Sequence, residues 1–457
     1  MSVVVVGQRP HLEVADVIRS HGEAFLQKYG RHLSTTQKKA LRDLASCRTA
    51  ALGGHVERCL DCGHERPAYN SCRNRHCPKC QALSRARWLE RESAYLLPVE
   101  YHHVVFTLPA ELAELASAHP GPMYNLLMQS AAETIREVSA NPQRLGAQVG
   151  VLMVLHTWGQ NLHHHPHVHC VVTGGGLSCN ERGEVDASPR WVSCRPGFFL
   201  PVRVLSRVYR GKFMAGLRAL AAEGKVTLPD LGPLYAKEWV VYAKPPFGGP
   251  EQVLKYLARY THRVAISNHR LVKLADGRVT FRYHDYADSR KEKLLTLSAE
   301  EFLRRFVQHV LPKGFMKIRH YGLLSSRHRE ARLHLARRLL LPKVALSGSG
   351  SDEIKPAEPW RCPQCSGMRR TRGEQLPRAE SPPCRDAPPE SADMRTCQRY
   401  LVIARCRRGL QIPPCPCVRG ARRAQKRRPQ LSHPRRWRAS TKSSLAGKSL
   451  TGATMSR

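Results

Sequence analysis

The cysteines constrain this chain more than any other feature. Between Cys47 and Cys80 it reads CRTAALGGHVERCLDCGHERPAYNSCRNRHCPKC, with two Cys-x-x-Cys pairs, Cys59/Cys62 and Cys77/Cys80. Each pair presents two sulfurs on one tight knuckle, and the spacing between pairs suits a tetrahedral Zn2+ held by four thiolates. Four protein thiolates leave no open position, so the expected role is structural. Cys47, His55, His64, Cys72 and His76 are further ligand types, open to forming a second site or to replacing a member of the first set. Arg58, Arg66, Arg73, Arg75 and Lys79 are interleaved, as in a module laid on phosphates, and Tyr69 could stack on a base. The plainer alternative for each basic residue is a solvated rim.

The charge balance extends this reading. Among 457 residues, 74 are Lys or Arg against 36 Asp or Glu, a formal charge of +38, and so basic a chain is expected to meet a polyanion, with nucleic acid the default. No apolar stretch approaches the roughly 20 residues of a spanning helix. MSVVVVGQRP is too short an apolar run for a signal peptide and lacks the basic start. The expectation is a cytoplasmic, nucleoid-associated bacterial protein with no membrane partner. In a reducing compartment its 16 cysteines should be thiols or metal ligands.

Periodicity predicts two helices over about 10–46, the second capped by Ser34. EYHHVVFTLP reads as a strand closed by Pro109, and GPMYNLLMQSAAETIREVSA as a helix. GVLMVLHTWGQ and HPHVHCVVTGGG read as a hairpin. A basic helix (PVRVLSRVYRGKFMAGLRALAAEG), strands EWVVYAKPP and GRVTFRYHDY, and a helix capped by Ser298 with Glu301 follow. Strands and helices alternate irregularly, which predicts an α+β core from about 95 to 325. After about 345 the character changes to a linker, SGSGSDEIKPAEP, then to Arg/Pro-rich sequence that cannot build a core. The Cys362–Cys365 pair there has no evident partner pair. The expected division is a helical segment (1–46), a zinc-binding DNA-recognition module (47–94), a catalytic domain (95–345), and a linker with a disordered basic tail (346–457).

Two constellations carry chemistry. In HHHPHVHC, His167 and His169 are spaced by two, so on a strand both imidazoles share a face about 7 Å apart and can converge on one ion. The rival reading is a pair of ordinary exposed or core histidines. In YLARYTHR, Tyr256 and Tyr260 lie four apart on a predicted helix, with Lys255, Arg259, His262 and Arg263 supplying positive charge around them. Alone, this would be an amphipathic helix packing its aromatics inward.

Taken together, the strand VVFTLP, the His-apolar-His strand and the later tyrosine pair resemble the HUH endonucleases. The chain resembles more narrowly the two-tyrosine rolling-circle transposases of the insertion-sequence-91 family. Its carriers are CRTAALGGH, YNSCRNRHCPKCQ, HHVVFTLP, HTWGQNLHHHPHVHCVVTGGG, YLARYTHRVAISNHRL and LPKGFMKIRHYGLL. The resemblance implies an HUH-type catalytic domain, a central antiparallel sheet with flanking helices, behind the helical and zinc-binding N-terminal module. It implies Mg2+ or Mn2+ held by His167, His169 and a third ligand. Gln160, seven residues before His167, is the candidate, with His163 and His165 competing. It implies Tyr256 and Tyr260 as nucleophiles that nick and rejoin single-stranded DNA at element ends through a 5′-phosphotyrosine, with Lys255, Arg259, His262 and Arg263 on the DNA. Two alternatives remain at this level: a zinc-containing DNA-binding protein without cleavage, and a plasmid rolling-circle replication initiator.

Overall fold

The computed structural model describes residues 10–247, 252–253, 265–286, 288–340 and 361–378, all within the unit that ends at Pro383. Two helices open it, α1 (Val14–Tyr29) and α2 (Thr35–Ala45). Ser34 caps α2: its Oγ accepts from the Gln37 N–H at 3.2 Å, while the Gln37 side chain accepts from the Ser34 N–H at 2.8 Å. Two donors that the first turn would otherwise orphan are thereby satisfied. A ribbon follows, β1 (Gly54–Cys59) antiparallel to β2 (Glu65–Tyr69). Helix α3 (Gln81–Ser93) leads into β3 (Tyr101–Thr107), then α4 (Ala113–Ala118) and α5 (Pro120–Ala140). The predicted hairpin is β4 (Ala147–Trp158) with β5 (His164–Ser178). After β6 (Trp191–Ser193) come α6 (Val202–Ala222), α7 (Gly232–Ala236) and β7 (Val241–Phe247). A meander of β8 (Leu271–Ala275), β9 (Arg278–Asp285) and β10 (Lys291–Ser298) runs into α8 (Ala299–Gln308), whose Ser298 cap accepts from the Glu301 N–H. The described chain closes with β11 (Ile318–Gly322), α9 (Arg329–Leu340) and β12 (Arg370–Leu376).

The α+β expectation holds. The largest sheet runs β11-β4-β5-β3-β7, with β6 added to β5, and its pairs are antiparallel. Strand alternation decides what each face does. Val104 and Phe106 on β3, Met153 and Leu155 on β4, and Val168 and Cys170 on β5 share one face. They bury against α5 and α6 through Leu127, Ile135, Tyr209 and Phe213. The register pairs His167 with Thr107 and His156, and His169 with Val105 and Val154, so these residues belong to the opposite face. Toward the other end of that second face Leu152 and Val171 are covered by Trp88 and Leu333. A second cluster joins Val17, Phe25 and Leu41 of the first two helices to Phe281 of the meander and Phe302 of α8.

The glycines that follow the histidines along β5 have a packing reason. A Cβ on Gly176 would stand 2.2 Å from the Gln148 carbonyl oxygen across the ladder. Gly176→Ala is therefore expected to lower stability by about 1–3 kcal/mol, the usual cost of overpacking, as read from a chemical denaturation midpoint.

One expectation is corrected here. The chain beyond 346 is not uniformly without structure. Residues 361–378 are folded, with β12 paired antiparallel to β1 in the register Arg58↔Thr371 and Cys59↔Arg370. The distant partner strand supplies the pairing that local composition does not advertise. Residues 379–457 lie outside the described residues.

Candidate active site and metal centres

His167 and His169 alternate with buried apolar residues on β5, and β4 places His156 directly opposite His167. One ring nitrogen from each of His156, His167 and His169 lies within 4.8 Å of the others. The ring centroids stand 5.5 Å (156–167), 4.5 Å (156–169) and 4.8 Å (167–169) apart. This arrangement can hold a divalent cation.

Beside the expected pair the structure brings in a third imidazole, His156. Gln160 lies in the turn joining β4 to β5, where its backbone carbonyl accepts from the Arg270 guanidinium. His163 donates its backbone N–H to Asn161 Oδ1 at 3.2 Å, and His165 contributes its carbonyl to His167 rather than its ring to the cluster. His156 supplies the third ring of the cluster. The signal for it was available in the hairpin itself, since residues about equally distant from its turn stand opposite each other. Tyr256, Tyr260, Lys255, Arg259, His262 and Arg263 lie outside the described residues.

The histidines are oriented from behind. His167 Nδ1 donates to the His165 carbonyl at 2.7 Å, and His169 Nδ1 meets His103 Nε2 at 2.9 Å with the two rings 7° from coplanar. With each Nδ1 engaged, the Nε2 lone pairs are left for the cluster, the usual way an outer partner fixes a ligand imidazole. His156 stacks on Trp158 at 4.6 Å. Desolvation pushes His167 down to about 4 and His169 well below its ordinary range. His103 falls to about 3, chiefly by burial and then by the Lys244 charge on the neighbouring strand. All three therefore stay neutral at pH 7, the form in which imidazole ligates.

Two further histidines tie the hairpin to its surroundings. His164 joins the Tyr124 hydroxyl at 2.8 Å and the Ala113 carbonyl at 3.2 Å. His309, fully buried, bridges Thr157 Oγ1 and the Leu162 carbonyl, each at 3.2 Å. Together they bolt α5 and the end of α8 to the turn that presents His167.

The cysteines regroup relative to the spacing argument. Cys59/Cys62 and Cys77/Cys80 do not share a site. Cys77 and Cys80 gather with Cys47 and Cys72, while Cys59 and Cys62 gather with Cys362 and Cys365, all sulfurs within 4.8 Å in each group. The Cys77/Cys80 knuckle sits at the start of α3 beside the end of α2, whereas Cys59 and Cys62 lie at the far tip of the β1–β2 ribbon. In the first group Cys72 and Cys80 stand 3.7 Å apart. Hydrogen bonds from Cys72 and its neighbours push the Cys47 thiol down, while those with Cys47 and the others push Cys77 up. Four such thiols ionise together only around a cation. None of the three spare histidines of this stretch, His55, His64 and His76, belongs to either group. His76 Nε2 accepts from the Leu311 N–H at 3.1 Å, and His55 faces Glu57 at 3.8 Å.

The interleaved basic residues are largely paired within the protein. Arg58 meets Glu65, Arg66 meets Glu57 at 2.7 Å, Lys79 meets Glu13 at 2.5 Å, and Arg75 donates to the Phe315 carbonyl at 2.8 Å. Arg48, Arg66, Tyr69, Lys79, His269 and Arg370 nevertheless line a common cleft of about 900 Å³.

Comparison with known proteins adds the following. Residues 17–108 match the family described as "Transposase zinc-binding domain", and residues 150–332 match the family described as "Putative transposase". The chain is 52% identical over 342 residues to "Putative transposase y4qJ" of Sinorhizobium fredii (strain NBRC 101917 / NGR234), covering 72% of this chain and 84% of that protein. It is 28% identical over 307 residues to the "Transposase for insertion sequence element IS801" of Pseudomonas savastanoi pv. phaseolicola, covering 65% and 72% respectively. No solved structure matches.

Proposed function

The chain belongs to the insertion-sequence-91 family of transposases, with a zinc-binding N-terminal domain, and on that premise we propose that it nicks and rejoins single-stranded DNA at element ends through a 5′-phosphotyrosine. The observation that carries this reading is the convergence of His156, His167 and His169 on the sheet face opposite the α5–α6 core. The convergent ring nitrogens of His156, His167 and His169 fit a divalent cation, with the Nδ1 atoms of His167 and His169 engaged from behind, and imidazole donors are taken up more readily by Mn2+ than by the harder Mg2+. Bound there, the ion supplies Lewis-acid polarisation of the scissile phosphate.

The protein's own groups do the rest. Exposed Lys244, across β3 from the histidines, is placed to meet a phosphate. Tyr256 or Tyr260 attacks phosphorus through its hydroxyl oxygen and loses its proton. The P–O3′ bond breaks and the departing oxygen becomes a free 3′-OH. The bond exchanged is equivalent in kind, so a 3′-OH can reverse the step and join strands without ATP. Lys255, Arg259, His262 and Arg263, on the same segment as the tyrosines, steady the strand by its phosphates. Among the described residues no helix is long and apolar enough to cross a membrane.

The test is an adduct assay. Full-length protein, Mn2+ and a single-stranded oligonucleotide carrying an element end should give a protein–DNA species that survives denaturing electrophoresis. Tyr256→Phe and Tyr260→Phe should each reduce it, and the double variant should abolish it. Salt-sensitive binding without any adduct would instead leave a DNA-binding protein that does not cleave.

A further inference from the structure

We propose that Cys59, Cys62, Cys362 and Cys365 hold a second structural Zn2+, distinct from the one fitted by Cys47, Cys72, Cys77 and Cys80, and that it fastens the C-terminal strand β12 to the N-terminal ribbon. Cys362 and Cys365 lie outside both matched family regions, and the inference does not depend on the cleavage chemistry.

The sulfur spacings fit a tetrahedral site, with all four within 4.8 Å of one another. Cys59 and Cys365 Sγ stand 3.7 Å apart, and Cys62 and Cys362 Sγ 3.6 Å apart. Four thiolates each about 2.3 Å from one zinc stand about 3.8 Å from each other. A disulfide needs about 2.05 Å, so these contacts are too long for one.

The two Cys-x-x-Cys loops are built alike, though they differ in sequence. In one, the Gly63 N–H donates to the Cys59 carbonyl at 3.0 Å; in the other, the Ser366 N–H donates to the Cys362 carbonyl at 2.8 Å. Both turning residues are left-handed, Gly63 at φ 73° and Ser366 at φ 60°. For serine that conformation is uncommon and costs energy. The backbone N–H two residues past each second cysteine points to its sulfur: Gly367 to Cys365 at 3.4 Å, and His64 to Cys62. Such donors favour the thiolate, the ligating form.

The strand that these cysteines begin has little else to hold it. Along β12 every residue but the last is exposed. It adds ladder bonds to β1 and the ion pairs Arg370–Glu57 and Arg369–Asp61, each 2.7 Å. Exposed pairs of this kind are worth about 0–1 kcal/mol each. A strand without a buried face needs another anchor, and a four-thiolate zinc at its start is that anchor. Its consequence for the cleft is direct, because Arg370 on β12 is one of the lining residues.

Two measurements on the full-length protein decide the matter. Zinc content, measured by plasma mass spectrometry, should fall by one equivalent per chain in the Cys362→Ser/Cys365→Ser double variant. Cobalt substitution should still show the visible bands of a tetrahedral thiolate centre, at about half the wild-type intensity. Unchanged zinc content would overturn the proposal. The second measurement needs no variant and holds if that variant fails to fold. Cys62 and Cys365 are exposed, yet both should resist iodoacetamide until a chelator is added, as mapped by peptide mass spectrometry. Alkylation at the rate of free thiols without chelator would overturn it, as would a Cys59–Cys365 or Cys62–Cys362 disulfide that ignores chelator and yields to reductant.

Discussion

His156→Ala should lower Mn2+-dependent cleavage of single-stranded DNA by roughly 100-fold or more, while Gln160→Ala should change it little. Loss of an outer partner of a metal ligand costs about 10–100-fold in affinity or activity, and a direct ligand should cost at least that. The contrast follows from position. His156 brings a ring nitrogen within 4.8 Å of those of His167 and His169, whereas Gln160 sits beyond the strand, in the turn that Arg270 holds by the Gln160 backbone carbonyl. His103→Ala belongs between the two. Its ring meets His169 Nδ1 at 2.9 Å, so its loss should raise the Mn2+ concentration needed for half-maximal rate by about 10–100-fold and leave the saturated rate closer to wild type. Initial rates of adduct formation against Mn2+ concentration check all three. If Gln160→Ala proved the more damaging change, the three-histidine centre would be the wrong assignment.

The second large effect is structural. Cys77→Ser should remove the zinc of the first cysteine group and lower the melting temperature by on the order of 10 °C or more. Apparent zinc affinities of small structural sites are about 10–16 kcal/mol, comparable with the whole stability of a typical domain, about 5–15 kcal/mol. Each kcal/mol lost is worth about 2–4 °C in a body of this size. The damage should not stay local. Cys47 and Cys77 share a buried cluster with Leu44, Val17, Phe302 and Phe306, so the helical N-terminus and the meander lean on the same knuckle. Chelator treatment of the wild-type protein should reproduce the shift, and zinc should restore it. A melting temperature indifferent to both would show that the cluster is held by packing alone.

Much of the fold was legible because it is written in short-range patterns. Ser34 and Ser298 announce their helices by capping chemistry, and apolar runs mark β3, β4 and β5, with alternation clear over His165–Cys170. Where a segment buries little, the pattern fades. β10 is exposed or half-buried along its whole length, and α3 carries Trp88 among mainly polar residues, so neither shows a clear apolar stripe. The site divides in the same way. The shared face of His167 and His169 is a property of two residues on one strand. Which Cys-x-x-Cys meets which is not, because spacing says nothing about a partner some three hundred residues away. The pairing of 59/62 with 77/80 was the nearest solution, and the folded chain adopts a more distant one.

That distance also sets a schedule for the newly made chain. Cys62 and Cys362 are 300 residues apart, and Cys59 and Cys365 are 306. At about 5–20 residues per second, roughly 15–60 s separate the emergence of the two halves from the ribosome. The helices, the first knuckle and the central sheet can all form in that interval, but β1 must wait with one edge open. An unpaired edge invites the wrong strand, so this ribbon is exposed to misassembly during synthesis. A message cut short before codon 361 would release a protein able to complete its histidine hairpin yet unable to finish the wall of its basic cleft.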